Sequence, residues 1–143
     1  MIELLFLSLR IAGAGLILLA LMHIPIARKL NWAEEFKRLS PGNAAICHVH
    51  NLFICLMLVI MGLPSLLDPG IFIEPSRAGL WFAWSLAFFW GFRLYCQWFV
   101  YHADLWRGKH PEARIHWFVT FIWTGLTALY TVCGCIQASW IRF

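Results

Sequence analysis

Four long apolar runs, at about 4–26, 46–67, 78–102 and 114–138, divide the sequence, and only short polar stretches separate them. Each run reaches the roughly 20 residues that a helix needs to cross a bilayer core. Together they predict an all-α chain, a transmembrane four-helix bundle in one transmembrane domain over 1–143. The first run does not read as a secretion signal: Glu3 stands where a basic region belongs, Arg10 interrupts the apolar stretch, and His23-Ile24-Pro25 is no small-residue cleavage site. It reads as a retained span.

Between the first two runs, "KLNWAEEFKRLSPGN" predicts a short amphipathic helix over about 31–40, lying on the membrane surface. Asn31 would cap it, Glu34 three residues on would be the reciprocal partner, and Pro41 would stop it. Trp32, Phe36 and Leu39 fall on one face of that helix and the charges on the other. The second connection, "LPSLLDPGIFIEPSRAG", is rich in proline and glycine and has no helical period, so it predicts an irregular turn. In the third, Pro111 suits the first turn of the last span, where a missing N–H costs nothing, and Glu112 suits that turn's positive dipole end.

Composition agrees with the pattern. Of the 143 residues 62% are hydrophobic and only 13% charged, which excludes an ordinary soluble domain and makes the lipid bilayer the first partner. The net charge of +4 would raise the question of nucleic acid, but the basic residues sort by loop. Arg28, Lys29, Lys37 and Arg38 follow the first run, and Arg107, Lys109 and Arg114 the third, whereas the second loop holds only Arg77. This is a topology signal, with no nucleic acid implied. It predicts a bacterial inner-membrane protein with both loops in the cytoplasm and both termini periplasmic. The five cysteines are odd in number, lie in or beside the runs and show no C-x-x-C spacing, so they read as small packing residues. Trp32, Trp106, Trp117 and Trp140 fall near the inferred interfaces, where aromatic belts form.

Polar residues inside spans are costly and therefore candidates for function. At about 100° per residue, Trp90, Arg93, Gln97, Tyr101 and Asp104 share one quadrant of the third run, with His102 opposite. On the fourth, His116, Thr120, Thr124, Thr127 and Thr131 form a stripe, with Glu112 one turn before His116. On the second, Cys47, His48, Asn51 and Cys55 share a face and His50 lies on another, which makes His48 the better inward candidate; on the first, His23 extends the face of Ala12, Leu16 and Leu19. His23, His48, His50, His102 and His116 all fall at the ends assigned to the cytoplasm. Arg93 lies roughly 16 Å deeper than Asp104 at 1.5 Å per residue, with no acidic residue at its level. It therefore needs carbonyls, water or the anionic group of a ligand.

The leading expectation is a histidine-lined redox, cofactor or substrate site at the cytoplasmic end of the bundle, holding haem or a transition metal. Its metal ligands would come from His23, His48 or His50, His116 and Asp104. His116, oriented by Glu112, would be the proton carrier or catalytic group. Arg93 and Gln97, with Tyr101, Asn51 and Thr120, would contact a small hydrophobic or anionic ligand. No H-E-x-x-H or E-x-x-H motif accompanies them. Two other classes remain open: a small transporter with the threonine stripe along its path, and a non-catalytic subunit of a homo-oligomer or larger membrane complex. The threonines also have a plainer reading, as hydroxyls bonded to the preceding turn.

With "WAEEFKRLSPGN", "FRLYCQWF", "DLWRGK" and "IHWFVTFIW", the chain resembles over its whole length a group of bacterial four-span inner-membrane proteins with no assigned activity. The resemblance implies the span count and draws attention to Arg93, Gln97, Trp106, Arg107 and His116. The stretch "FVYHAD" also looks like a fragment of the small four-span protoporphyrinogen oxidases. In that family it follows the first span, whereas here it closes the third, and the likeness is set aside.

Overall fold

The computed structural model describes residues 1–141, and every regular element among them is helical. The long helices are α1 (Ile2–Lys29), α3 (Pro41–Leu67), α4 (Arg77–Phe99) and α5 (His110–Gln137), with a single turn of helix, α2 (Trp32–Phe36), between the first two. Short 3-10 turns occupy Pro69–Phe72 and Ala103–Leu105. The residues form two compact units, one over Glu3–Pro69 and one from Gly70 onward.

The helix ends follow local chemistry, and in three places they differ from the expected ones. Ser40 and Pro41 open α3: the Ser40 hydroxyl accepts from the Asn43 N–H at 3.4 Å, and Pro41 takes a first-turn position where no N–H is needed. A proline that looked like a stop is thus also a start, and the helix begins five residues before the apolar run at 46. The predicted helix over 31–40 shrinks to one turn. Asn31 adopts the left-handed region (φ 56°), so its side chain makes no capping bond, and Glu34 pairs instead with Lys37 at 2.7 Å. At the far end of α4 the helix stops at Phe99. Tyr101 and Asp104 therefore do not continue its face; Asp104 lies in the 3-10 turn. Pro111 does fall in the first turn of α5.

Helices α1, α3 and α5 are each long and apolar enough to cross a bilayer, which makes this a multi-pass membrane protein. Helix α4 has the length, 23 residues, but no 18-residue stretch of it is as apolar as the best stretches of the other three, because Arg93 and several tryptophans stand among its apolar residues.

Within the first unit α1 and α3 meet backbone to backbone. A Cβ placed on Gly13 would lie 2.6 Å from the Gly62 carbonyl oxygen, and one on Gly62 would lie 2.9 Å from that of Gly13. Only glycine at both positions permits so close a crossing, the device by which helices associate in lipid. Within the second unit α4 packs along α5. The Trp84 ring rests on Gly134, where a Cβ would meet it at 2.8 Å, and Trp90 stacks on Trp123 with centroids 5.0 Å apart.

One buried glutamine ties residues 71–76 to the end of α5. Gln137 Nε2 donates to the carbonyls of Glu74 (2.8 Å) and Ile71 (3.0 Å), and its Oε1 accepts from the Ser76 N–H (2.9 Å). The Ser76 hydroxyl in turn caps α4 by accepting from Gly79 N–H at 3.0 Å. Gly79 must be glycine there, because a Cβ would stand 2.4 Å from the Ile71 oxygen.

Candidate functional site

Three polar side chains of α4 and α5 join in sequence. Arg93 Nη1 donates to Gln97 Oε1 at 3.2 Å, one turn along α4. The other edge of the same carboxamide, Gln97 Nε2, lies 2.8 Å from His116 Nδ1 on α5. Gln97 and His116 are buried, at 5% and 9% exposure, so this contact is shielded from competing water. Helical spacing sets up the first link, since residues 93 and 97 are an i,i+4 pair. The second depends on how α4 meets α5.

His116 is held from its faces as well. The Trp106 indole, in the connection between α4 and α5, lies flat against it with centroids 3.8 Å apart and planes 19° from parallel. Trp117 approaches edge-on at 5.5 Å. Gln97, Trp98, Trp106, His116 and Trp117 line an open cleft of about 320 Å³. Its walls are broad aromatic surfaces with two polar side chains between them, the composition expected of a small-molecule site.

Arg93 has a local answer to its charge. Its guanidinium carbon lies 5.1 Å from the centre of the Trp123 ring and 5.5 Å from that of Tyr101. Aromatic faces attract a cation through their quadrupole, and a desolvated contact of this kind is worth about 2 kcal/mol. Arg93 is thus set among the rings of Trp123 and Tyr101 and one amide oxygen. Trp90 and Trp123, both buried, have indole N–H groups that meet no acceptor among the described residues.

Glu112 is exposed on the first turn of α5, and it is Gln97 that holds the Nδ1 edge of His116. The hydroxyls of Thr120, Thr124, Thr127 and Thr131 all donate to carbonyls four residues back, at 2.7–2.8 Å. The threonine stripe therefore spends its protons inside its own helix. His23 Nδ1 lies 2.8 Å from the Leu19 carbonyl, so it donates within α1. His48 is exposed, its ring edge-on to Phe36 at 4.9 Å, and His50 lines a shallow apolar groove with Ala45, Ile46, Val49 and Phe53. Asn51 is half-buried, and its Oδ1 has no partner among the described residues. Asp104 is exposed.

Among the described residues no three His, Cys, Asp or Glu side chains gather where they could hold a metal ion. The expected shell of His23, His48, His50, His116 and Asp104 therefore does not converge as a metal centre among the described residues. The spacing arguments that nominated these residues gave depth and facing along single helices, and ligation needs convergence. Conversely, Trp98 and Trp117 are site residues that span periodicity did not nominate, because an indole in an apolar run carries no polar signal; Trp106, to which the resemblance draws attention, lies in the connection between α4 and α5.

No family model, no curated protein and no solved structure matches this chain. The functional reading therefore stands on the site alone.

Proposed function

We propose that the chain is a four-span membrane protein whose working site is the aromatic cleft at Gln97, Trp98, Trp106, His116 and Trp117, where a flat, apolar small molecule binds against His116. The observation that carries this reading is the immobilised histidine. A ring stacked on Trp106 and hydrogen-bonded by Gln97 is held from its face and from one edge. Among the described residues nothing bonds its other nitrogen, Nε2. A histidine so fixed beside a cleft is suited to donate a hydrogen bond or carry a proton. The tryptophan walls favour a planar guest, which they can cover by stacking.

A fourth crossing by α4 is part of the proposal. At 1.5 Å per residue its 23 residues extend about 34 Å, against a hydrocarbon core of about 30 Å. Four crossings also put the loop bearing Arg28, Lys29, Lys37 and Arg38 on the same side as that bearing Arg107 and Lys109. Three would part them, against the positive-inside rule, so both termini are assigned to the outer side of a bacterial inner membrane.

The test is quenching of tryptophan fluorescence by decylubiquinone, a flat apolar compound, with protein purified in mild detergent. Saturable quenching that weakens at least fivefold in both His116→Ala and Trp106→Ala supports the cleft. Quenching that is unsaturable, or unchanged in both variants, refutes it.

A further inference from the structure

We propose that Arg93, acting through Gln97, holds His116 in the tautomer with its proton on Nε2, so that the cleft takes its guest through a hydrogen-bond-accepting oxygen, such as a quinone-type carbonyl. The inference rests on the cleft being the binding site and adds the chemistry by which it selects.

A guanidinium only donates, so the Gln97 atom facing Arg93 at 3.2 Å must be the amide oxygen. That leaves the NH2 of the same carboxamide facing His116 at 2.8 Å, and an NH2 only donates. Nδ1 must therefore offer its lone pair, and a neutral imidazole with a bare Nδ1 carries its hydrogen on Nε2. Turning the amide over would set Arg93 against an NH2, donor to donor. Protonating Nδ1 would do the same at the other end of the amide. Arg93 thus dictates the chemistry of a ring that it does not touch.

The consequence for the guest is specific. A metal ion or haem iron would require a lone pair on the free nitrogen, and in this arrangement that nitrogen is a donor. An oxygen acceptor fits it. The surroundings lean the same way: Arg93 has N–H groups beyond the one given to Gln97, and the buried indoles of Trp90 and Trp123 also have donors without acceptors among the described residues. This part of the molecule is rich in donors and short of acceptors, and Trp98, Trp106 and Trp117 supply flat apolar walls beside it. A planar molecule presenting a carbonyl oxygen complements both.

The inference predicts opposite outcomes for two substitutions at the relay. Gln97→Glu replaces the NH2 with an accepting oxygen, so Nδ1 becomes the protonated nitrogen and Nε2 the bare one. Arg93→Lys keeps a donor-only partner for the amide and preserves the wild-type tautomer. The ring nitrogens are read by 15N spectra of histidine-labelled protein at alkaline pH, with His116→Gln identifying the signals. Decylubiquinone affinity is read by fluorescence on the same samples. The expected result is a wild-type His116 with bare Nδ1 and protonated Nε2, reversal in Gln97→Glu with at least a fivefold loss of affinity, and retention of both properties in Arg93→Lys. A wild-type proton on Nδ1 overturns the relay even if the quinone binds. Equal affinity in wild type and a folded, tautomer-reversed Gln97→Glu overturns the selection of an acceptor. The wild-type tautomer as expected but no saturable binding instead overturns the cleft as the binding site, so the two failures are told apart.

Discussion

His116 and Trp106 lie ring against ring, their centroids 3.8 Å apart, with one residue in a span and the other in the connection that precedes it. That contact fastens the irregular stretch after α4 to the first half of α5. It also fixes one wall of the cleft to its only imidazole. Stacked pairs of this kind contribute about 0.5–1.5 kcal/mol beyond the area they bury. Trp106→Ala is therefore expected to raise the dissociation constant for decylubiquinone about five- to tenfold, while Trp106→Phe stays within about twofold. A fluorescence titration, with Trp117 and Trp98 still present as reporters, decides it. Equal losses in both variants would point away from stacking.

The crossing of α1 and α3 should be intolerant of one added carbon at two positions and indifferent at a third. Gly13→Ala and Gly62→Ala each drive a Cβ into the facing backbone, and overpacking of this kind costs about 1–3 kcal/mol. Gly15, on the same helix, has nothing within 4 Å of its Cβ position, so Gly15→Ala is expected to be neutral or slightly stabilising. Thermal midpoints of the three variants in one detergent make the comparison.

Gln137→Leu leaves the Ser76 N–H and the Ile71 and Glu74 carbonyls without their partner. These bonds are part-buried, and a hydrogen bond of this kind contributes about 0.5–1.5 kcal/mol net. The expected signature is local: faster amide exchange at Ser76 and earlier proteolysis within 69–76, with α1 and α3 unaffected.

Replacing Thr124, Thr127 and Thr131 by valine should change little. Each hydroxyl bonds a carbonyl of its own helix, and that carbonyl keeps its backbone partner when the hydroxyl goes. Stability within about 1 kcal/mol of wild type is expected for the triple variant. If the stripe instead lines a permeation path, the same variant loses solute flux in liposomes, which would revive transport as the function.

Four crossings place Lys37 and Lys109 on one side of the membrane and Asp68 and Glu74 on the other. Single cysteines at these positions, in a chain whose native cysteines are replaced, should be labelled by a membrane-impermeant maleimide in two matching pairs. Labelling of positions 37 and 109 from opposite sides would mean that α4 does not cross.

The sequence made the helices plain and the site only in part. Long apolar runs and start signals such as Pro111 are local, and local chemistry survives into the folded chain. Ser40-Pro41 is equally local, yet it was ambiguous because a proline after a short amphipathic stretch serves both as a stop and as a first-turn residue. Arg93, Gln97 and His116 stood out because polar groups in a span are few. What could not be read was their order of contact: Glu112 sits one turn from His116 on the same helix, yet the bond comes from Gln97, 19 residues away on another. The answer to Arg93 was hidden for a related reason, since its partners are the faces of Trp123 and Tyr101, and hydropathy counts an aromatic face as mere bulk. Reading beyond Phe99 as continued helix put Tyr101 and Asp104 on a face that does not exist.

Gln137 sets a timetable for the chain as it is made. The carbonyls of Ile71 and Glu74 and the amide of Ser76 leave the ribosome more than 60 residues before the side chain that bonds them. During that interval α4 already has its cap but the turn ahead of it has none of its three bonds to Gln137. Those three bonds can form only once the last turn of α5 has been made, so the tie lies at the end of the α4–α5 pair away from the cleft.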